Sequence, residues 1–236
     1  EQVVSTLVLA KDLLNESLAA FEMMDKNVLR LVRKDVAVHL AMLKEDLFSS
    51  HEFCVLVETQ GSNETHEDEK MQHFLEASME KEHVVDGMLS QDLSQVLEMW
   101  EIRESCNPAV KATGYNYKYD LSLPLDALHE LILRVQQRLD GTPAQLANWG
   151  HLVDGNLHLN IVTPGMHEED PSLTSTIEPF VYEACVALGG SISAEHGIGQ
   201  QKKRIPCSIV RKGSDCSPSH ARREAYARSK RYPESG

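Results

Sequence analysis

Long hydrophobic runs are missing from this 236-residue chain, since no window of 18 or more residues is both apolar and uncharged. A helix needs about 20 apolar residues to cross a bilayer, so the sequence excludes a membrane-spanning class. Glycine and proline are few, at 13 and 9 residues, which excludes collagen-like and low-complexity chains. The remaining composition, 42% hydrophobic and 25% charged, is that of an ordinary globular protein.

Positive charge is scarce, with 23 Lys and Arg against 36 Asp and Glu and a net charge of −13. This balance argues against nucleic acid as a partner, because such proteins neutralise phosphates with basic residues. The basic residues gather at the end, where residues 201–236 hold ten of them beside three acidic ones. We expect a folded domain over residues 1–203 and an aberrant, disordered tail over 204–236, with a genuine basic interaction tail as the alternative.

Paired cysteines are also lacking, because the five cysteines are odd in number and none has C-x-x-C spacing. This pattern favours thiols in a reducing compartment over a disulfide framework or a cysteine zinc site. The chain begins with Glu rather than Met, so its start says nothing about a targeting peptide.

Helical and strand-like segments alternate without strict regularity, which predicts an α+β fold with a mostly antiparallel sheet and helices packed on one side. The spacing of apolar residues predicts helices over residues 7–36, 64–81, 92–106, 124–139 and 171–188. Strands are expected over residues 53–59, 84–89, 115–120 and 191–194, with two more inside 145–162.

The segment GHLVDGNLHLN at residues 150–160 carries the most information about function. Its Asp-Gly pair predicts a two-residue hairpin turn, which would place His151 directly opposite His158 on one face. Two imidazoles so placed can share a divalent metal, and Asn160 would lie on the same face. An ordinary hairpin whose histidines face solvent is the alternative.

A second motif, SAEHG at residues 193–197, offers a carboxylate and a third imidazole. Glu195 could complete a His/His/carboxylate metal set, and His196 is a candidate general base because imidazole titrates near the working pH. Consecutive strand residues face opposite ways, so both reach one site only if the chain bends at the following glycines. An exposed acid and histidine at a strand end remain possible.

Two cations, Arg103 and Lys118, are candidate anion binders. Lys118 shares one face of the YNYKYD strand with Asn116 and Asp120, and Arg103 lies late in a predicted helix. Either could bind a carboxylate as a positive charge. Taken alone, each is also compatible with an ordinary surface position.

Three motifs together resemble the C-terminal domain of the FAD-linked oxidases: GYNYKYDLSLP at 114–124, GHLVDGNLHLN at 150–160 and SISAEHGIG at 191–199. Three further stretches resemble the same family: AFEMMD at 20–25, VLVETQGSN at 55–63 and WEIRES at 100–105. The resemblance covers roughly residues 1–203. Within the family it is strongest to the members that oxidise D-2-hydroxyglutarate.

The resemblance implies the substrate- and metal-binding part of a flavin-dependent dehydrogenase that oxidises D-2-hydroxyglutarate to 2-oxoglutarate. It implies His151, His158 and Glu195 as metal ligands, with zinc as the expected ion, and His196 as the catalytic base. It also implies substrate contacts from the residues Arg103, Lys118, Asn107 and Asn160. FAD is the implied cofactor, a flavoprotein the implied electron acceptor, and the mitochondrion the implied location.

The chain departs from the family pattern in ways that bear on activity. The family's N-terminal flavin-binding domain is absent from the sequence, so we expect this chain alone to be inactive. Asn107 followed by Pro108 stands where relatives carry threonine, and Val153 replaces a glycine in the hairpin turn.

Two alternatives remain open at this point. One is another D-2-hydroxy-acid dehydrogenase, such as one for D-lactate, and the other is a catalytically inactive metal-binding fragment. The pair Arg103 and Lys118 favours a dicarboxylate substrate, because a monocarboxylate needs only one cation.

Overall fold

The computed structural model describes residues 1–36 and 51–194, all within one compact unit. In chain order the helices and strands are α1 Gln2–Leu14, β1 Leu18–Asp25, α2 Lys26–Val36, β2 Phe53–Thr59, α3 Glu64–Glu80, α4 Leu93–Glu104, α5 Cys106–Thr113, β3 Gly114–Ser122, α6 Leu128–Arg138, β4 Gln145–Leu146, β5 Trp149–His151, β6 Asn156–Pro164 and α7 Pro171–Ala187.

The strands form one sheet in the order β2-β1-β5-β6-β3, and the short strand β4 also pairs with β6. Every pairing between these strands is antiparallel. The prediction of an α+β fold with an antiparallel sheet is therefore confirmed.

Helices contact both faces of this sheet, a wider distribution than the single side in our prediction. On one face, Val28 of α2, Ile102 of α4 and Val110 of α5 belong to a buried cluster with Trp149 of β5. On the other face, Tyr119 of β3 lies edge-on to Tyr182 of α7, with ring centroids 5.5 Å apart. Side chains alternate along a strand, so the polar residues on either side of Tyr119 face α4 and α5.

A buried carboxylate fastens the start of α2 to the loop before β5. Asp25 Oδ1 accepts a hydrogen bond from Val28 N at 2.8 Å, which caps the helix. Asp25 Oδ2 accepts two more from Asn148, at 2.8 Å from the backbone and 2.9 Å from the side chain. Burial raises the pKa of Asp25 to about 6, although these hydrogen bonds act in the opposite direction.

Side chains that accept backbone hydrogen bonds also fix the starts of three other helices. Asn63 caps α3, Asp92 caps α4 and Asp170 caps α7, each through a side-chain oxygen. The predicted helices at 64–81, 92–106, 124–139 and 171–188 are confirmed within a few residues, and so are the strands at 53–59 and 115–120.

Three predicted elements were wrong. Residues 7–36 are not one helix, because Leu18–Asp25 forms the strand β1 between β2 and β5. Residues 84–89, within the described chain, form no regular strand. Of residues 191–194, only Ser191 makes a β-bridge, to Ser122. The tail expected over residues 204–236 lies outside the described residues.

Within residues 1–36 and 51–194, no helix is both long enough and apolar enough to cross a bilayer.

Candidate functional site

The polar residues of the site occupy two adjacent rows across four strands. Glu22 of β1 pairs with His151 of β5 in the first row. In the next row, Trp149 of β5 pairs with His158 of β6, and His158 pairs with Asp120 of β3. Cross-strand partners share one face, so the sheet presents all five side chains to the same side.

The hairpin register differs from our prediction. His158 lies opposite Trp149, so His151 is its diagonal neighbour and not its direct partner. The reason is the turn, in which residues 152–154 form a 3-10 helix and Gly155 adopts a left-handed conformation with φ of 66°. The two imidazole rings nevertheless meet edge-on, with centroids 5.3 Å apart. The predicted proximity of the two histidines is therefore confirmed, although by another geometry.

Glu22 joins a histidine and an arginine through its two carboxylate oxygens. Oε1 lies 2.6 Å from His151 Nδ1, and Oε2 accepts a hydrogen bond of 2.8 Å from Arg103 Nε. The carboxylate is buried, with 4% of its side chain exposed, whereas Arg103 retains 11% and His151 35%. Arg103 reaches this strand from the last turn of α4.

His158 is held in its neutral form. Burial and the charge of His151 lower the pKa of His158 to about 4, and the nearby Asp120 opposes only part of this shift. Its Nδ1 lies 3.5 Å from Asp120 Oδ1 and makes no hydrogen bond within the described part of the chain. A neutral imidazole keeps a lone pair, which is the form that binds a metal ion.

Two adjoining cavities open on this face. The first, of about 340 Å³, is lined by the residues Trp100, Arg103, Glu104, Asn107, Lys118, Trp149, His151 and His158. The second, of about 380 Å³, is lined by Asn107, Lys111, Gly114, Tyr115, Asn116, Lys118 and His167. Asn107 and Lys118 line both cavities. The two residues therefore lie at the boundary between the cavity that contains His151 and His158 and the cavity that contains Lys111.

Asn160, expected to contact substrate, is completely buried, on the same face of the sheet as His158 and paired with Lys118. Its Nδ2 donates to the His158 carbonyl at 2.9 Å, and its Oδ1 accepts from Asn116 Nδ2 at 2.9 Å. Its backbone N–H donates to Asn148 Oδ1, and the side chain of Asn148 in turn donates to the Asp25 carboxylate. Both amide atoms of Asn160 are therefore engaged by β6 and β3, which fixes its side chain beside His158.

The structure brings together five of the predicted site residues around the first cavity: Arg103, Asn107, Lys118, His151 and His158. Glu195 and His196 lie outside the described residues, so their predicted roles as ligand and base stay predictions. Among residues 1–36 and 51–194, no group of three His, Cys, Asp or Glu side chains is placed to hold a metal ion. Of the predicted ligand set, the described ranges therefore contain only His151 and His158, and the metal site stays a prediction.

Sequence reasoning missed Glu22. The motif AFEMMD contains it, but we assigned that stretch to a helix and gave Glu22 no role. A strand assignment would have placed Glu22 on the opposite face of the strand from Phe21 and Met23, which are both buried and apolar. The signal available was therefore a lone carboxylate within a short apolar run.

Comparisons with known proteins identify the family to which this chain belongs. The family model described as FAD linked oxidases, C-terminal domain, matches residues 1–207. A mitochondrial D-2-hydroxyglutarate dehydrogenase of Danio rerio is 37% identical over 203 residues, which cover 86% of this chain and 36% of the relative. Its counterpart in Arabidopsis thaliana is 44% identical over 196 residues, covering 83% and 34%.

Another relative carries a different name. A putative mitochondrial D-lactate dehydrogenase of Schizosaccharomyces pombe is 40% identical over 214 residues, covering 86% of this chain and 39% of the relative. The chain thus spans little more than a third of the length of the relatives it matches. Since the family model covers most of its residues, this chain belongs to the FAD-linked oxidases and carries their C-terminal domain.

Proposed function

We propose that this chain is the substrate- and metal-binding part of a flavin-dependent dehydrogenase that oxidises D-2-hydroxyglutarate to 2-oxoglutarate. The observation that carries the proposal is the joint placement of Arg103, His151 and His158 around one cavity, with a buried carboxylate fixing two of them. The names of the relatives support a mitochondrial location, and a flavoprotein is the proposed electron acceptor.

The metal proposal rests on the chemistry of the two histidines. Glu22 occupies Nδ1 of His151, which leaves Nε2 of that ring for a metal, and His158 is neutral and buried. We propose Glu195 as the third ligand and zinc as the ion, since two imidazoles and a carboxylate suit it. A metal held there would lower the pKa of the substrate hydroxyl, and FAD would supply the hydride acceptor.

The chain's cations are proposed to bind and orient the substrate carboxylates. Arg103 uses Nε for Glu22, so its two terminal nitrogens remain to form a bidentate contact with a carboxylate. Lys118 is exposed on β3 and lines both cavities, together with Asn107. A five-carbon dicarboxylate could therefore place one carboxylate near Arg103 and the other near Lys118, which fixes its orientation.

Proton transfer is assigned to His196, which follows Glu195 in the sequence. We propose that its imidazole takes the proton of the substrate hydroxyl as a general base. Asn160 positions His158 through the hydrogen bond to that residue's carbonyl, so we propose a positioning role for it instead of a substrate contact. Trp100 and Trp149 also line this cavity.

A D-lactate dehydrogenase is the second candidate function, because one relative bears that name. D-Lactate has a single carboxylate and would use one of the two cations. The second cation, Lys118, and the further lysine in the adjoining cavity, Lys111, favour the dicarboxylate.

Zinc binding by the full chain tests the metal part of this proposal. Elemental analysis of chain purified with zinc should show less bound zinc in His151→Ala and His158→Ala than in the wild type. His129→Ala is the matched control, because His129 is exposed on α6, and it should keep the wild-type zinc content. Wild-type zinc content in both site variants would overturn the assignment of these ligands.

A further inference from the structure

We propose that Glu22 is a positioning residue, which holds the His151 ring and the Arg103 guanidinium in the orientations that the site requires. Its two carboxylate oxygens serve different partners, at 2.6 Å from His151 Nδ1 and 2.8 Å from Arg103 Nε. The inference rests on the proposed function for what the ring and the guanidinium bind.

The contact with His151 fixes which ring nitrogen carries the proton. A carboxylate oxygen accepts hydrogen bonds and donates none, so Nδ1 of His151 carries the hydrogen at this contact. In the neutral ring the proton is then absent from Nε2, whose lone pair is left for a ligand. Carboxylate partners of this kind orient metal-binding histidines and raise their basicity.

The contact with Arg103 fixes the plane of its guanidinium. Arginine presents five N–H donors in a rigid fork, and Glu22 engages the one on Nε. The terminal nitrogens are thereby set at a defined angle to the cavity that Arg103 lines. One carboxylate thus orients both a proposed metal ligand and a proposed carboxylate binder.

A purely structural role explains Glu22 less well. The other residues of β1 near it, Phe21, Met23 and Met24, are buried and apolar. A buried ion pair often contributes no more stability than apolar residues of the same volume. An apolar residue at position 22 would pack between the same strands, but it would leave both partners without an orienting acceptor.

The test uses the full chain, purified without metal, and compares Glu22→Gln and Glu22→Met/Arg103→Met with the wild type, with Arg103→Met as the reference for the double variant. Glu22→Gln keeps the shape but offers one acceptor oxygen, so it can accept a hydrogen bond from only one of the two partners and keeps Arg103 only if His151 loses its Nδ1 proton or the contact. Glu22→Met/Arg103→Met removes both charges and avoids leaving the arginine buried without a counterion. Glu101→Gln is the control, because Glu101 is an exposed carboxylate on α4. Long-range ¹⁵N–¹H NMR shows which nitrogen of each histidine carries the proton.

In the wild type and in Glu101→Gln, the His151 proton should reside on Nδ1. In the double variant it should move toward Nε2, and zinc affinity measured by calorimetry should fall by about 10–100-fold relative to Arg103→Met. Glu22→Gln should lose one of two properties. Either the Nδ1 proton of His151 is lost, or the variant no longer binds glutarate in an NMR titration. An unchanged His151 proton in the double variant, or both properties retained in Glu22→Gln, would overturn the proposal.

Failure of the proposed function gives a different pattern. If the wild-type chain binds no zinc, the metal assignment is wrong, but the proton position on His151 still decides the role of Glu22. If zinc binds normally while the His151 proton is indifferent to position 22, the metal assignment stands and the positioning role fails.

Discussion

The buried carboxylate of Asp25 should make the stability of this protein depend on pH in an unusual direction. Burial raises the pKa of Asp25 from 3.8 to about 6, so the folded state binds the proton more tightly than the unfolded state. The stabilisation is complete below pH 3.8 and disappears as the pH rises through 6. Most carboxylates in proteins show the reverse, because their pKa is lowered on folding.

The size of this effect follows from the shift in the pKa. One pKa unit corresponds to about 1.4 kcal/mol, so Asp25 contributes about 3 kcal/mol at low pH. Proton linkage places about 2 kcal/mol of this change between pH 4.5 and pH 7. Asp25→Asn removes the titration while keeping the size of the side chain.

The assay is chemical denaturation of the wild type and Asp25→Asn at several pH values between 4.5 and 7. The free energy of unfolding of the wild type, minus that of the variant, should fall by about 2 kcal/mol across this range. Asp12→Asn is the control, because Asp12 is exposed on α1, and its difference should stay constant. A difference for Asp25 that rises with pH, or does not change, would refute the reasoning.

Three other substitutions have defined outcomes. Gly150→Ala should destabilise the fold by about 1–3 kcal/mol, since its Cβ would lie 2.2 Å from the Asn156 carbonyl oxygen, and an unchanged denaturation midpoint would contradict the strand packing. Leu159→Ala should cost about 2–5 kcal/mol in the same assay because Leu159 is fully buried, whereas Leu93→Ala, at a site 71% exposed, should cost little; equal losses would contradict the assigned core. Lys118→Met should raise the glutarate dissociation constant by about 10-fold or more in NMR titration, and unchanged binding would remove Lys118 from the site.

The sequence predicted the strands and helices whose periodicity is clear. β6 alternates buried apolar and polar residues, and α6 carries a regular apolar stripe that includes Leu128, Leu131 and Val135. β1 was mistaken for a helix because Leu18, Phe21 and Met24 continue the helical spacing of Leu13 and Leu14 in α1. β1 also lacks the alternation of polar and apolar residues that identifies β6 as a strand.

The part of the candidate site that lies in a local sequence motif was predicted, and the part that depends on distant contacts was not. His151 and His158 were found because they lie in a recognisable hairpin, and their proximity survived an error in the register. Glu22 lies 129 residues from His151 in the sequence and 81 from Arg103, so only the fold brings them together. No local pattern carries information about contacts of that separation.

We propose that this chain supplies the substrate site of a D-2-hydroxyglutarate dehydrogenase, and a hybrid enzyme tests this proposal most directly. Residues 1–203 would replace the matching region of the Arabidopsis thaliana relative, which is 44% identical. We predict that kcat/KM of the hybrid is about 10–100-fold higher for D-2-hydroxyglutarate than for D-lactate, because the second carboxylate gains a charge-assisted contact. Equal values for the two acids, or a preference for D-lactate, in a hybrid that binds FAD would contradict the account.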